Sequence, residues 1–331
     1  MKDLNLAKLT ANKPSQERVQ MLILGSGPAG LSAALYAARA NMNPVILTGM
    51  ELGGQVSLTY TIENYPGFPE GVGGAELVQL FQKQAERFGA RIEFDTATEV
   101  DLSQRPFLIK TYNGEYLAET LIVTTGATPK HLGIPGEVDL TGRGVSYCAT
   151  CDGWFFKDKD VVVIGGGDSA LEEGLFLTRY AKSVTIIHRR DELRAGAILQ
   201  KRAFDNPKIK FIWNSVLTKI HGADKVTAVH MRNVVSEEVS DMPIDGVFIF
   251  IGHDPNTGLF KNQLEMNEQG YLVADKLMHT NVPGVFAAGE VADPTFRQVV
   301  TSAGMGAAAA MQAIHFIEQN TESQSEMIAG V

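Results

Sequence analysis

Cysteine is almost missing from this chain: its 331 residues include two, Cys148 and Cys151. Two thiols are too few for a disulfide framework or a four-thiolate zinc site. Positive charge is also in deficit, with 29 Lys and Arg against 38 Asp and Glu and a net charge of −9. Without a basic field nothing gathers phosphate backbones, so no nucleic acid partner is expected. No uncharged apolar run approaches the roughly 18 residues of a membrane span. The opening MKDLNLAKLTANKPSQERVQ likewise lacks a continuous apolar segment of signal-peptide type. These shortages point to a cytoplasmic protein with no membrane association. The seven histidines are scattered, none at i, i+4 from another ligand in a helical pattern, and no metal site is expected.

What is present suits a large packed core. The hydrophobic fraction is 44% and the charged fraction 20%, the balance of a globular chain rather than a disordered one. The length is roughly twice that of a usual domain, which implies two cores. Residues 1–18 are polar and aperiodic and read as an extension. From Val19 the chain shows an apolar strand, Met21 to Leu24, a turn with Gly25, Gly27 and Gly30, a small-residue helix, and a second strand from Val45 to Thr48.

The plan recurs. VVVIGGGDSA, Val161 to Ala170, is again strand, glycine turn and helix, closed by a strand from Val184 to Ile187. Each unit also has a matching later segment, LIVTTGATP from Leu121 and VFIFIGHDP from Val247. Two dinucleotide-binding units therefore share one chain. A strand at Gly284 to Ala288 and an Ala- and Gly-rich helix after Phe296 have no counterpart before residue 160. Insertion is the economical explanation: an α/β chain of two Rossmann-like, three-layer domains, 130–254 being inserted between 19–129 and 255–331. GATPKHLGIPG and GHDPNTG would be the hinges.

GSGPAG between strand and helix is a dinucleotide fingerprint, because glycines permit the tight turn and let backbone approach a pyrophosphate at the helix amino end. The acid expected to hold a ribose is not at the end of the second strand; the nearest is Glu51. In the second fingerprint Gly165, Gly167 and Ala170 fill the small positions. Beyond its second strand stand His188, Arg189, Arg190 and Arg194 with no acid first. Arginines offer forked donors to a 2′-phosphate, so this unit is expected to take NADP(H). Cys148 and Cys151 precede it in SYCATCDGWFF, a spacing suited to a small disulfide ring and to thiol–disulfide exchange, with Asp152 able to move the proton. Trp154, Phe155 and Phe156 are expected to be core.

GSGPAG, TGMELGGQ, IENYPGFP, CATCDG, GGGDSA, HRRDELRA, FIGHDPNT and AAGEVADPTFRQVVTSAG, in this order, resemble the low-molecular-weight bacterial-type thioredoxin reductases over about residues 19–318. The resemblance implies a homodimeric flavoprotein with thioredoxin as partner, FAD in the discontinuous domain, and NADPH with the redox disulfide in the inserted one. It places Gly25, Ser26, Gly27, Pro28 and Ala29 at the FAD pyrophosphate. Glu51, Gly54, Gln55 and Asn64 would contact that cofactor, and Arg297, Gln298 and Val299 would lie near the flavin, where the helix dipole can stabilise negative charge. Cys148 and Cys151 would be the active pair and Asp152 the proton donor. Gly165, Gly167, Asp168, Ser169, Ala170, His188, Arg189, Arg190 and Arg194 would serve NADPH.

Three positions depart from the usual pattern: Glu290 replaces an Asp beside the flavin, Asp168 an Asn and Ser169 a Thr. Glu290 puts flavin affinity in question, and Asp168 adds negative charge beside a phosphate site. One flavin cannot face both the nicotinamide and the cysteine pair carried by the same domain, so that domain is expected to rotate about the hinges. A dithiol oxidase, a ferredoxin-dependent reductase and a non-catalytic redox sensor are the competing readings. The arginine cluster argues against the first, and the presence of the nucleotide motif, which would be expected to be lost, against the second. An alkyl-hydroperoxide reductase flavoprotein would need a further amino-terminal redox domain.

Overall fold

The computed structural model describes residues 16–59 and 61–329, with side chains described through Thr321. The chain divides into two compact units, one running to Thr128 and resuming at Pro255, the other Pro129–Asp254. Residues 1–15 of the expected extension lie outside the described residues. Gln16, Glu17 and Arg18 do not belong to an extension; they open the first strand, paired with Glu115, Tyr116 and Leu117.

Along the first unit run β1 (Gln16–Leu24), α1 (Pro28–Arg39), β2 (Val45–Leu47), α2 (Gly74–Arg87), β3 (Arg91–Glu93), β4 (Ala97–Asp101), β5 (Phe107–Thr111), β6 (Glu115–Val123) and β7 (Ala127–Pro129). The second holds β8 (Val145–Ser146), α3 (Ala149–Asp152), β9 (Asp160–Ile164), α4 (Asp168–Leu177), β10 (Ser183–Ile187), α5 (Ala197–Phe204) and β11 (Ile209–Ile212). It continues through β12 (Ser215–Gly222), β13 (Val226–Asn233), β14 (Val239–Pro243), β15 (Gly246–Ile249) and β16 (His253–Pro255). The chain then completes the first unit with β17 (Val285–Ala287) and α6 (Val299–Ala329). The connecting strands β7 and β16 pair with each other.

In the first unit the strand order is β3-β2-β1-β6-β5-β4, and β17 pairs with β6 beyond β5. β1, β2, β3, β6 and β17 are parallel. Alternation along β1 sets the two faces. Met21 and Ile23 join Ala33, Ala37, Phe286, Ala309 and Ala313 against α1 and α6. Leu22 and Leu24 face the opposite way, with Ile109, Phe260 and Leu272. That second face is covered by β4, β5 and the segment around Phe260 rather than by a helix, so the expected three layers are α, β and an antiparallel flap. Val299–Thr321 is long and apolar enough to cross a membrane by length and composition alone. Its Ala309, Ala310 and Ala313 are buried in this core, which accounts for the apolar character.

The second unit repeats the logic with a parallel sheet, β11-β10-β9-β15-β8. Val161 and Val163 of β9 face α4 and α5. Val162 and Ile164 face the antiparallel meander β12-β13-β14. The two matched later segments take equivalent places, β6 beside β1 and β15 beside β9.

Candidate active site

In the first unit the fingerprint is held by contacts only glycine allows. Gly25 adopts φ 106°, and a Cβ there would lie 2.4 Å from the Thr124 carbonyl oxygen. Gly27 caps α1 with no side-chain hydrogen bond, Pro28 occupies the first turn, and a Cβ on Gly27 would meet open space. The first-turn amides of α1 therefore face room that an anion's oxygens can fill, which fits a dinucleotide pyrophosphate. Ser26 is buried; its Oγ donates to the Thr48 and Glu51 carbonyls at 3.2 and 3.3 Å and accepts from Gly53 N at 3.0 Å. Ser26 thus ties the 48–53 loop to the fingerprint and sets Gly54 against Gly27, where a Cβ on Gly54 would lie 4.0 Å from Gly27 Cα.

The other predicted residues of this unit converge by further links. Asn64 Nδ2 donates to Gln298 Oε1 at 3.1 Å. Gly289 reaches Ala29 so closely that a Cβ would lie 2.9 Å from the alanine methyl, which brings Glu290 to the start of α1. Burial pushes the Glu290 carboxyl up to about 7, with Arg297 opposing and Asp293 adding to the rise. The departure read from the sequence is therefore a carboxyl that can carry a proton near neutrality. Glu51 and Gln55 are exposed on the loop, and Val299 opens α6.

Two residues were invisible to sequence reasoning. Asp293 accepts from the amides of Thr295, Phe296 and Arg297 at 2.9 to 3.1 Å. It holds Arg297 at φ 51°, a left-handed conformation that a non-glycine residue rarely adopts. Asp95 is buried beside Gly49, its carbonyl accepting Gly49 N at 3.0 Å, and its Oδ2 has no partner. It sits where the ribose-binding acid was sought, but on the neighbouring strand's exit. Only the pairing of β2 with β3 puts it there, and no local motif marks it.

The second unit builds its turn in the same way. A Cβ on Gly165 would come within 2.4 Å of the Phe250 carbonyl oxygen and 2.8 Å of Ala170 Cβ, so Ala170 is as large as the third position admits. Gly167 caps α4 without a side-chain bond and has open space. The chain after β10 folds back onto this turn: Arg194 N donates to Gly166 O at 2.7 Å, and Gly196 N to Asp168 Oδ1 at 2.7 Å. Asp168 anchors the arginine segment, a role no motif reveals, while its neighbour Ser169 is exposed. Arg189, Arg190 and Arg194 are exposed at this turn.

His188 is placed differently from the arginines. It is buried, and its ring lies so close to Gly166 that a Cβ there would be 2.4 Å away. Its Nε2 has no partner. Burial first, then Arg194 and the other arginines, hold its pKa below the ordinary imidazole range. A neutral ring under the glycine turn, with one unpaired nitrogen, fits a nucleotide-site residue that acts from below the turn.

Cys148 and Cys151 form a disulfide, with Cα atoms 5.3 Å apart. Cys148 caps α3, and the Cys151 amide points at its Sγ at 3.2 Å. Ser146 fixes the approach, its Oγ accepting Cys148 N and donating to Cys148 O, both at 3.1 Å. Asp152 follows directly; burial raises its pKa, opposed by a hydrogen bond from Ser146. Of the three aromatics beyond it only Phe156 is core. Trp154 is 53% and Phe155 41% exposed, because one 3-10 turn cannot direct three consecutive side chains into the same core. Two dinucleotide turns and a redox disulfide define the class: a nucleotide-dependent disulfide oxidoreductase.

The comparisons narrow this. Residues 19–306 match the pyridine nucleotide-disulphide oxidoreductase family. The thioredoxin reductase of Coxiella burnetii is 48% identical over 316 residues, covering 93% of this chain and 98% of that protein. That of Streptomyces coelicolor is 50% identical over 300 residues, covering 90% and 93%. The crystal structure of thioredoxin reductase from Streptococcus pyogenes superposes with a TM-score of 0.88 at 44% identity, covering 91% of this chain and 99% of that one. The chain belongs to the thioredoxin reductases of the pyridine nucleotide-disulphide oxidoreductase family, which use a flavin and a pyridine nucleotide.

Proposed function

We propose that the protein transfers electrons from NADPH through FAD to the Cys148–Cys151 disulfide, and from the resulting dithiol to thioredoxin, as a cytoplasmic homodimer. The observation that carries the proposal is one unit holding three things: an uncapped glycine turn, an arginine segment anchored to it by Asp168, and the disulfide with a carboxyl of raised pKa beside it. Gly25, Ser26, Gly27, Pro28, Ala29, Glu51, Gly54, Gln55, Asn64, Glu290, Arg297, Gln298 and Val299 would hold FAD. Gly165, Gly167, Asp168, Ser169, Ala170, His188, Arg189, Arg190 and Arg194 would hold NADPH.

When bound, these cofactors supply the two electrons that open the disulfide. One thiolate then attacks the thioredoxin disulfide and forms a mixed disulfide; the other attacks that bond, releases thioredoxin as a dithiol and recloses the Cys148–Cys151 ring. Asp152, protonated to higher pH than an ordinary carboxyl, supplies the proton a departing thiolate needs. The partner's chemistry suits exposed Trp154 and Phe155, which offer apolar contact next to the sulfur pair.

The test is NADPH oxidation by the purified protein with and without oxidised thioredoxin, and NADH in parallel. NADPH-dependent appearance of thioredoxin thiols is expected, with Arg189→Ala/Arg190→Ala raising KM for NADPH at least tenfold and leaving NADH little changed. Equal use of both nucleotides by the unaltered protein would overturn the assignment of the arginines. No transfer to thioredoxin would overturn the function.

A further inference from the structure

The meander β12-β13-β14 brings together three metal-ligating side chains that have no part in the redox site. His230 on β13 stands directly opposite Asp241 on β14, and its Nδ1 lies 2.7 Å from Asp241 Oδ1. On the other side His230 pairs with Lys219 of β12, and His221, two residues further along β12, is the diagonal neighbour on that face. The His221 Nε2 atom is 3.7 Å from the same Asp241 oxygen. One candidate ligand atom from each residue lies within 4.8 Å of the others.

Strand alternation explains why all three point the same way. Ile220, Val229 and Met231 belong to the core under the sheet, so His221 and His230 belong to the solvent face. Ala228, directly opposite His221, leaves the space between the two imidazoles free of a long side chain. The helical-spacing criterion applied to the sequence could not register this group, because it is assembled across three strands with period 2 rather than within one helix.

We propose that His221, His230 and Asp241 form a binding site for a borderline divalent cation of the zinc class, with water completing the coordination. Two imidazoles and one carboxylate are a ligand set suited to that class, and tetrahedral Zn²⁺ needs donor atoms roughly 3.3 Å apart. The present separations bracket that value and need only side-chain rotation. Binding replaces the His230–Asp241 hydrogen bond by two metal–ligand bonds, and any proton shared between them goes to water. No redox step is involved.

The test uses the flavin-loaded, disulfide form of the full chain, so that free thiols do not compete. Equilibrium dialysis against Zn²⁺ should give one ion per chain, and zinc-edge absorption should show nitrogen and oxygen neighbours at about 2.0–2.1 Å. His230→Gln, His221→Gln and Asp241→Asn are surface changes, and each should raise Kd by roughly tenfold or more. His279→Ala, which removes a half-buried histidine paired with Asp275 at 3.0 Å and far from the cluster in sequence, should leave zinc affinity unchanged. Sulfur neighbours near 2.3 Å, or binding that survives His221→Gln/His230→Gln, would overturn the site.

Discussion

At the scale of single residues, the proposed function gives Asp152 the task of moving the proton apart from the electrons. Its neighbour Cys151 is half-buried, and the carboxyl's own pKa is raised by burial. The sign follows: the folded carboxyl keeps its proton to higher pH than the unfolded one. Its contribution to stability is present at low pH and is lost as pH rises through the folded value. Asp152→Asn keeps the shape and removes both the proton and this pH dependence. Turnover with thioredoxin should fall by roughly 10² to 10⁴, while NADPH still bleaches the flavin at its normal rate. Thermal melts of the variant should gain on the unaltered protein from acid toward neutral pH. Retained turnover would remove Asp152 from the proton path. The cysteines and Asp152 were legible because they are contiguous in CATCDG. Asp293 and Asp95 were not, since each earns its role from backbone amides or a strand that the fold alone brings near.

At the scale of elements, the crossing of α1 and α6 decides whether the fingerprint keeps its shape. A Cβ on Gly306 would lie 1.9 Å from the Ala29 carbonyl oxygen, and one on Gly289 would meet Ala29 Cβ at 2.9 Å. Both close approaches fall at the helix start that would face the pyrophosphate under the proposed function. Gly306→Ala should force the helices apart and cost about 1–3 kcal/mol, read as a lower Tm together with faster loss of flavin on dilution. Unchanged melting and unchanged flavin retention would show that the crossing carries no such strain. The helices themselves were readable from glycine, proline and apolar spacing. Their partners were not, because an Ala- and Gly-rich helix reads the same whether its small face meets lipid or another helix. Here Ala309, Ala310 and Ala313 share a core with Ala33 and Ala37 of α1.

At the scale of the whole molecule, the chain crosses between its units along two short paired strands, Ala127–Pro129 and His253–Pro255. The proposed function gives that connection a task, since the disulfide and the nucleotide turn belong to one unit and the flavin fingerprint to the other. Rotation of one unit against the other would let each reach the flavin in turn. A chemical cross-link tying the units together should therefore block one half-reaction and spare the other, leaving turnover with thioredoxin at a few per cent or less. Full turnover in the cross-linked protein would show that no such motion is needed.

The sequence by itself determined what is local: two glycine turns between strand and helix, an arginine run with no acid before it, and a cysteine pair three residues apart. Each depends on backbone freedom or charge within a few positions, and such patterns survive in one dimension. Tertiary structure decided what depends on separate strands becoming neighbours. It put His188 beneath Gly166, made Asp168 the anchor of the arginines, left Trp154 and Phe155 on the surface, and gathered His221, His230 and Asp241 onto one face. Register and sheet order set those juxtapositions, and both are fixed by burial of residues far apart in the chain.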